Sequence, residues 1–272
     1  MKTGGLTTAF RTLTILPLPG EAGDARSGMA AALPWFPCVG LVLGAGLYGL
    51  TMLAGLVPGP VWAGGTAVLV VACGVFLTRA FHLDGLADAA DAWGSLASRE
   101  KMLSIMKDSR VGTFGVLAIV VALAAKWIAV ARLVESGTAV WIVAACVVSR
   151  TAQVELACAL PYSREGGGTA EGFVKGARLS HRLSAWLLAV LMTVAALGPA
   201  GAVVLLAGWA VARALGWHFM KMVGGVTGDL LGAASEIVET VVLFACAAAG
   251  ARLASWTGWG VVLDMLREGM AG

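Results

Sequence analysis

Charge is what this sequence has least of. Only 13% of its 272 residues are Asp, Glu, Lys or Arg, against roughly a quarter in water-soluble domains, and this excludes an ordinary soluble fold. Cysteine is sparse as well. Cys38, Cys73, Cys146, Cys158 and Cys246 are odd in number, lie almost wholly within apolar stretches and show no C-x-x-C spacing, which excludes a disulfide framework or a thiolate metal site. The sequence contains no nucleotide P-loop, no Rossmann glycine fingerprint and no Ser-His-Asp pattern. Lys2 and Arg11 are not followed by a compact apolar run with a small-residue cleavage site before Pro17 and Pro19, so no cleaved signal peptide is expected.

Apolar residues make up 59% of the chain, and the mean hydropathy is +0.86. They gather into stretches of about twenty, the length that crosses a hydrocarbon core of roughly 30 Å as helix. The expected fold is an all-α, polytopic transmembrane helix bundle forming a single domain over residues 1–272. Seven spans are predicted, at about 33–57, 60–81, 113–134, 138–159, 183–198, 201–222 and 231–251. The fifth is short, and the break at Leu197-Gly198-Pro199 reads either as a turn between spans or as a kink. The 37 glycines sit among Leu, Val and Ala. That placement suits helices packed backbone against backbone, as at Gly40 and Gly44, and does not suit disorder.

Basic residues orient the bundle. Lys2, Arg11 and Arg26 precede the first span; Arg99, Lys101, Lys107 and Arg110 follow the second; Arg164, Lys175, Arg178 and Arg182 follow the fourth; Lys221 borders the connection after the sixth. The opposite connections, around Gly59, Ser136 and Pro199, hold almost no Lys or Arg beyond Arg132. Positive charge is retained on the cytoplasmic side, so the N-terminus and the long connections are expected there, in a cytoplasmic (inner) membrane. The tail from Arg252 to Gly272 falls outside on a seven-span count, or lies in the interface through Trp256 and Trp259.

Three constellations carry candidate chemistry. In Phe81-His82-Leu83-Asp84-Gly85-Leu86-Ala87-Asp88-Ala89-Ala90-Asp91, the three aspartates are spaced four and three apart and share one helical face. Like charges at these spacings repel, and a bound hard cation relieves them, since Mg²⁺ takes carboxylate oxygens together with substrate phosphates. A solvated acidic face beside the membrane is the plainer alternative. In Gly224-Gly225-Val226-Thr227-Gly228-Asp229, the glycines permit backbone amides to approach a phosphate at a helix N-terminus, with Gly225 and Thr227 as contacts. Asp229 and Glu236, seven apart, share a face of the last span, and Glu236 and Glu239 stand inside its apolar run. A flexible turn with packing glycines is the alternative there.

The third constellation, Lys107-Asp108-Ser109-Arg110-Val111-Gly112-Thr113, offers Lys107 and Arg110 to phosphate oxygens, although a positive-inside anchor looks alike. Pro161-Tyr162-Ser163-Arg164 adds Arg164. Arg79, Arg150 and Arg213 lie at depths where a charge needs a partner, and Glu155 is one candidate. His82 adjoins the aspartates and is placed to orient a carboxylate or donate to phosphate; His181 and His218 read as ordinary interface residues.

The four segments F-H-L-D-G-L-A-D-A-A-D, K-D-S-R-V-G-T-F-G, P-Y-S-R and G-G-V-T-G-D-L-L-G-A-A-S-E, in this order, resemble the cobalamin synthase family, the adenosylcobinamide-GDP ribazoletransferases. The opening F-R-T-L-T-I-L-P-L-P and W-F-P-C-V-G-L-V-L-G are similar too, so the likeness covers most of the chain, leaving out the C-terminal tail. The resemblance implies transfer of the adenosylcobinamide-phosphate group from adenosylcobinamide-GDP to α-ribazole or its 5′-phosphate, with loss of GMP and with Mg²⁺ as cofactor. On that expectation Asp84, Asp88, Asp91, Asp229 and Glu236 are metal-ligand candidates. Asp91, His82, Lys107 and Arg110 are candidates for catalysis, with Asp91 as base, and Arg79, Asp108, Arg150, Arg164, Gly225 and Thr227 for substrate binding.

A CDP-alcohol phosphatidyltransferase is the rival, because its signature also opens D-G-x-x-A. Here position 88 is Asp88, the Arg expected after that Ala is absent, and the later Gly and paired aspartates are not at matching spacing. A transporter predicts carboxylates near the midplane and related halves, and neither is evident in the sequence. The lipid bilayer is the expected partner and nucleic acid is not; a homo-oligomer and docking with other cobalamin-pathway enzymes stay open.

Overall fold

In a computed structural model of the chain, residues 4–18, 28–250, 252, 257 and 258 are described. Lys2, Arg26 and nearly all of the tail, including Trp256 and Trp259, lie outside them. Eleven α-helices follow in order among the described residues: α1 (Gly4–Leu13), α2 (Phe36–Gly55), α3 (Ala63–Leu77), α4 (Phe81–Gly94), α5 (Arg99–Ile105), α6 (Thr113–Glu135), α7 (Trp141–Ala159), α8 (Glu171–Lys175), α9 (Leu179–Leu197), α10 (Pro199–Val223) and α11 (Gly228–Ala249). A 3-10 segment, Met29–Trp35, leads into α2. No strand is present among these residues beyond one parallel bridge between Tyr162 and Val226.

Each of the seven expected spans coincides with a helix, and the fold is an all-α polytopic bundle. Six of the helices are long and apolar enough to cross a membrane unaided. The exception is α3, whose 15 residues reach only about 22 Å at 1.5 Å per residue. It is followed after three residues by α4, turned through 86°. Arg79 and Ala80 make this corner in the left-handed region, at φ 55° and 54°, a conformation that strains residues carrying a Cβ. Hydrogen bonds hold it: Ala80 N donates to the Val75 carbonyl, and Ile15 N, just past α1, donates to Leu77. Because of the corner, α4 runs across the end of the bundle and leaves the direction of the spans.

The expected ambiguity at Gly198-Pro199 resolves as a turn. Gly198 takes φ 65°, Pro199 opens α10, where its missing N–H is no loss, and α9 packs back against α10. At the centre stands α7, buried at every residue from Trp141 to Ala157 and packed on α2, α9, α10 and α11. Its closest neighbour is α2, because a Cβ at Gly44 would lie 2.7 Å from the Val143 Cα and one at Gly40 would run into the Cys146 carbonyl. Without a hydrophobic drive between helices in lipid, this close packing is what holds the bundle together. The peripheral faces stay apolar and exposed, as at Leu53, Phe76, Val121, Leu187 and Leu206, as a surface solvated by lipid requires.

Candidate active site

The site forms where α4 meets the N-terminus of α11. Gly85 makes the approach possible, since a Cβ there would stand 2.6 Å from the Asp229 carbonyl oxygen. Contact at this point brings the exposed Asp84 and the half-buried Asp88 beside Asp229. The Asp88 carboxyl is pushed up to about 7, first by burial and then by the negative charges of Asp229 and Asp84. Negative charge gathered at this point is relieved by positive charge beside it.

The start of α11 is built for rigidity. The Thr227 hydroxyl caps it by accepting from Leu230 N at 3.2 Å. The strand-like residues before it pair with the segment after α7: Ser163 N donates to the Val226 carbonyl and Val226 N to the Pro161 carbonyl, both at 2.9 Å. Gly225, at φ 154°, is required because a Cβ there would collide with the Pro161 carbonyl and come within 2.7 Å of Ser163 Oγ. This pairing delivers Arg164, which donates to Asp229 at 2.5 Å and to the Met106 carbonyl at 3.0 Å.

Beside Arg164 opens a polar cleft of about 390 Å³, lined by Arg99, Lys107, Ser163 and Arg164 together with Glu100 and Glu165. Arg99 reaches the Ser163 carbonyl at 3.5 Å. Within the pairing, Ser163 Oγ and Arg164 Nε are buried without a hydrogen-bond partner, two polar atoms poised for a ligand. Cations lining a cleft suit an anion, and Asp229 stands beside it through its bond from Arg164.

A family model described as cobalamin-5-phosphate synthase matches residues 5–247. This chain belongs to the cobalamin-5-phosphate synthase family. It is 44% identical over 248 residues to the adenosylcobinamide-GDP ribazoletransferase of Chlorobaculum parvum, covering 89% of this chain and 94% of that protein. It is 39% identical over 247 residues to the protein of the same name from Syntrophobacter fumaroxidans, covering 89% and 97%. No solved structure matches the chain.

Within this member of the family, several candidate residues stand apart from the acidic cluster. Both Asp91 oxygens accept backbone N–H groups, from Gly112 at 2.6 Å and from Gly115 at 2.8 Å. Asp91 therefore caps α6 from a distance of twenty-odd residues, each of its oxygens already accepting one backbone N–H. His82 points to the opposite face of α4 and is 2% exposed. Its Nδ1 lies 3.3 Å from Gln153 Nε2, and burial, followed by the positive charge of Arg150, lowers its pKa to about 3. It is buried as a neutral imidazole beside Gln153.

Glu236 and Arg150 are likewise drawn elsewhere. Lys126 of α6 pairs with Glu236 at 2.5 Å and with Glu239 at 2.7 Å, while Arg150 of α7 pairs with Glu239 and holds Ser149 Oγ at 2.7 Å. Two turns of α11 separate Glu236 from Asp229, so its charge is neutralised inside the bundle. Lys126, a single cation in an apolar run, is the partner that the sequence reading missed, although its depth alone was a signal. Arg79 donates to the Arg11 carbonyl at 3.1 Å, bracing the corner. Glu155 takes Arg182 through two bonds of 2.7 Å and approaches Arg213 at 3.7 Å. Asp108 is held by Arg110 at 2.5 Å, an exposed pair at the rim.

Three or more His, Cys, Asp or Glu side chains do not converge on a ready-made metal point among the described residues. Mg²⁺ does not need such a cage, since it usually keeps several waters and is bound by one or two carboxylates plus substrate phosphates. Asp84, Asp88 and Asp229, with mutual repulsion already evident at Asp88, fit that requirement.

Proposed function

We propose that this chain transfers the adenosylcobinamide-phosphate group from adenosylcobinamide-GDP to α-ribazole or its 5′-phosphate, with release of GMP. The observation that carries the proposal is the meeting of Asp84, Asp88 and Asp229 with the Arg99, Lys107 and Arg164 cleft, in a chain similar along most of its length to proteins named for that reaction.

A hydroxyl of the ribazole attacks the phosphorus that bears the corrinoid aminopropanol, and the bond from that phosphorus to the GMP oxygen breaks. Lys107, Arg99 and Arg164 face the cleft in which negative charge grows on the departing GMP, and they stabilise it electrostatically. The attacking hydroxyl gives its proton to the acidic cluster. Asp84, Asp88 and Asp229 would hold Mg²⁺, which supplies Lewis-acid polarisation of the pyrophosphate oxygens. Gly225, Thr227 and the Ser163 pairing keep Asp229 and Arg164 in register, and Asp91 fixes α4 to the entry of α6. The Lys and Arg content of the connections at this end supports a site facing the cytoplasm from the inner membrane.

The test is GMP release by the chain purified into liposomes, from adenosylcobinamide-GDP and α-ribazole, with and without Mg²⁺ and beside Asp84→Ala. Formation of GMP and a cobalamin product that depends on both metal and Asp84 is the expected result. Folded protein that yields no product with either acceptor overturns the proposal.

A further inference from the structure

We propose that the cleft between α5 and the segment after α7 binds the guanosine end of the donor, with Glu165 reading the guanine base while Lys107 and Arg99 meet the phosphates. The inference rests on the function proposed above and deepens it by naming the residue that selects the nucleotide.

The cleft is held open by its own walls. Arg99, at the start of α5, reaches across to the Ser163 carbonyl, and Arg164 reaches back to the carbonyl of Met106, the residue before Lys107. Because Arg164 is also bonded to Asp229, the wall that carries Glu165 is fixed relative to the acidic cluster. The volume of about 390 Å³ falls within the roughly 300–1,000 Å³ of small-molecule sites.

Charge then says what fits. Lys107 and Glu165 both line the cleft, and among the described residues neither side chain makes a hydrogen bond or an ion pair. Arg99 bonds a carbonyl and no carboxylate. Opposite charges that share a cleft without pairing leave space between them for a ligand that is anionic at one end and carries donors at the other. The other carboxylates nearby are already claimed: Asp108 by Arg110, Glu171 by Lys175 and Asp229 by Arg164. Glu100, on the opposite wall, is taken by its own backbone N–H and the Ser98 hydroxyl. Glu165 is the acceptor left for a ligand.

Guanine supplies the matching donors. Its N1–H and 2-amino group lie side by side, and the two oxygens of one carboxylate accept both. Adenine has neither an N1–H nor a 2-amino group. Phosphate oxygens are repelled by Glu165 and attracted by Lys107 and Arg99, so a guanine nucleotide has one favoured orientation in the cleft.

The experiment is equilibrium dialysis of labelled GMP, IMP and AMP against the liposome-embedded protein, for wild type, Glu165→Ala and Lys107→Ala. IMP keeps the N1–H and lacks the 2-amino group. GMP release from the donor, donor KM and thermal stability are measured on the same preparations. Wild type is expected to bind GMP about tenfold more tightly than IMP and about 10²-fold more tightly than AMP. Glu165→Ala is expected to bring the three within about threefold of one another, and Lys107→Ala to weaken all three alike. A wild type that turns over while Glu165→Ala keeps the preference for GMP, or loses affinity for all three equally, overturns the guanine contact and leaves the function standing. A higher donor KM in Glu165→Ala with the preference intact does the same, and would place the carboxylate on the corrinoid part of the donor. A wild type that neither binds GMP nor releases it from the donor overturns the function and the subsite together.

Discussion

Arg164 donates to Asp229 at 2.5 Å across the pairing of Pro161–Ser163 with Val226. Arg164 belongs to the connection after α7 and Asp229 to the first turn of α11, and the pairing turns them into one unit with a cation on one side and a carboxylate on the other. Asp229→Asn is expected to lower kcat by about 10²–10³-fold and to raise the Mg²⁺ concentration needed for half-maximal rate. Arg164→Ala is expected to lower kcat comparably with no such change in metal dependence. Rates measured across a Mg²⁺ titration separate the two.

Gly85 and Asp229 touch through their backbones. Gly85→Leu is expected to push α4 from α11 by about an ångström and to cost on the order of 10²-fold in kcat. The Asp229 carboxylate itself would be untouched. Turnover equal to wild type in the folded variant would show that the α4–α11 spacing does not set the chemistry.

Asp91 and Asp84 lie two helical turns apart and are expected to fail differently. Asp91→Ala removes the acceptor for two backbone N–H groups and is expected to destabilise the fold by about 1–2 kcal/mol, as loss of a helix cap does. Metal affinity should be retained. Asp84→Asn is expected to keep the melting temperature and lose metal dependence. Thermal unfolding in detergent, together with Mg²⁺ titration of activity, distinguishes these outcomes.

Lys126→Met leaves Glu236 and Glu239 with one cation fewer in the apolar interior. The expected loss is about 3–5 kcal/mol, the cost of breaking a buried pair from one side. The double variant Lys126→Met with Glu236→Gln should recover much of it. A single variant as stable as wild type would mean that the network is solvated in the membrane.

Much of this architecture was legible in the sequence because membrane helices announce themselves by length and hydropathy, and all seven expected spans met a helix. Runs of apolar residues do not encode corners, so the 86° turn at Arg79 and Ala80 left no mark beyond a charged residue near a span end. In the site, the spacing of Asp84 and Asp88 indicated a shared face, and the glycines around Asp229 indicated a close approach. The spacing did not show that the Asp91 oxygens also accept backbone amides 21 and 24 positions away; a helical wheel carries no tertiary contacts. Glu236 was read with Asp229 because they are seven apart, whereas its charge is answered by Lys126 on another helix.

The buried ion network also bears on how the chain is made. Lys126 and Arg150 emerge from the ribosome 113 and 89 residues ahead of Glu239, so α6 and α7 enter the bilayer each carrying a cation whose counter-charge has not yet been synthesised. Neither helix is content in lipid alone. The last described span thereby acts as a latch: insertion of α11 discharges both debts at once, and the same movement carries Asp229 to its place against Gly85. Completion of the membrane bundle and assembly of the acidic cluster are thus one event in biogenesis, and a chain that stops short of α11 would have neither.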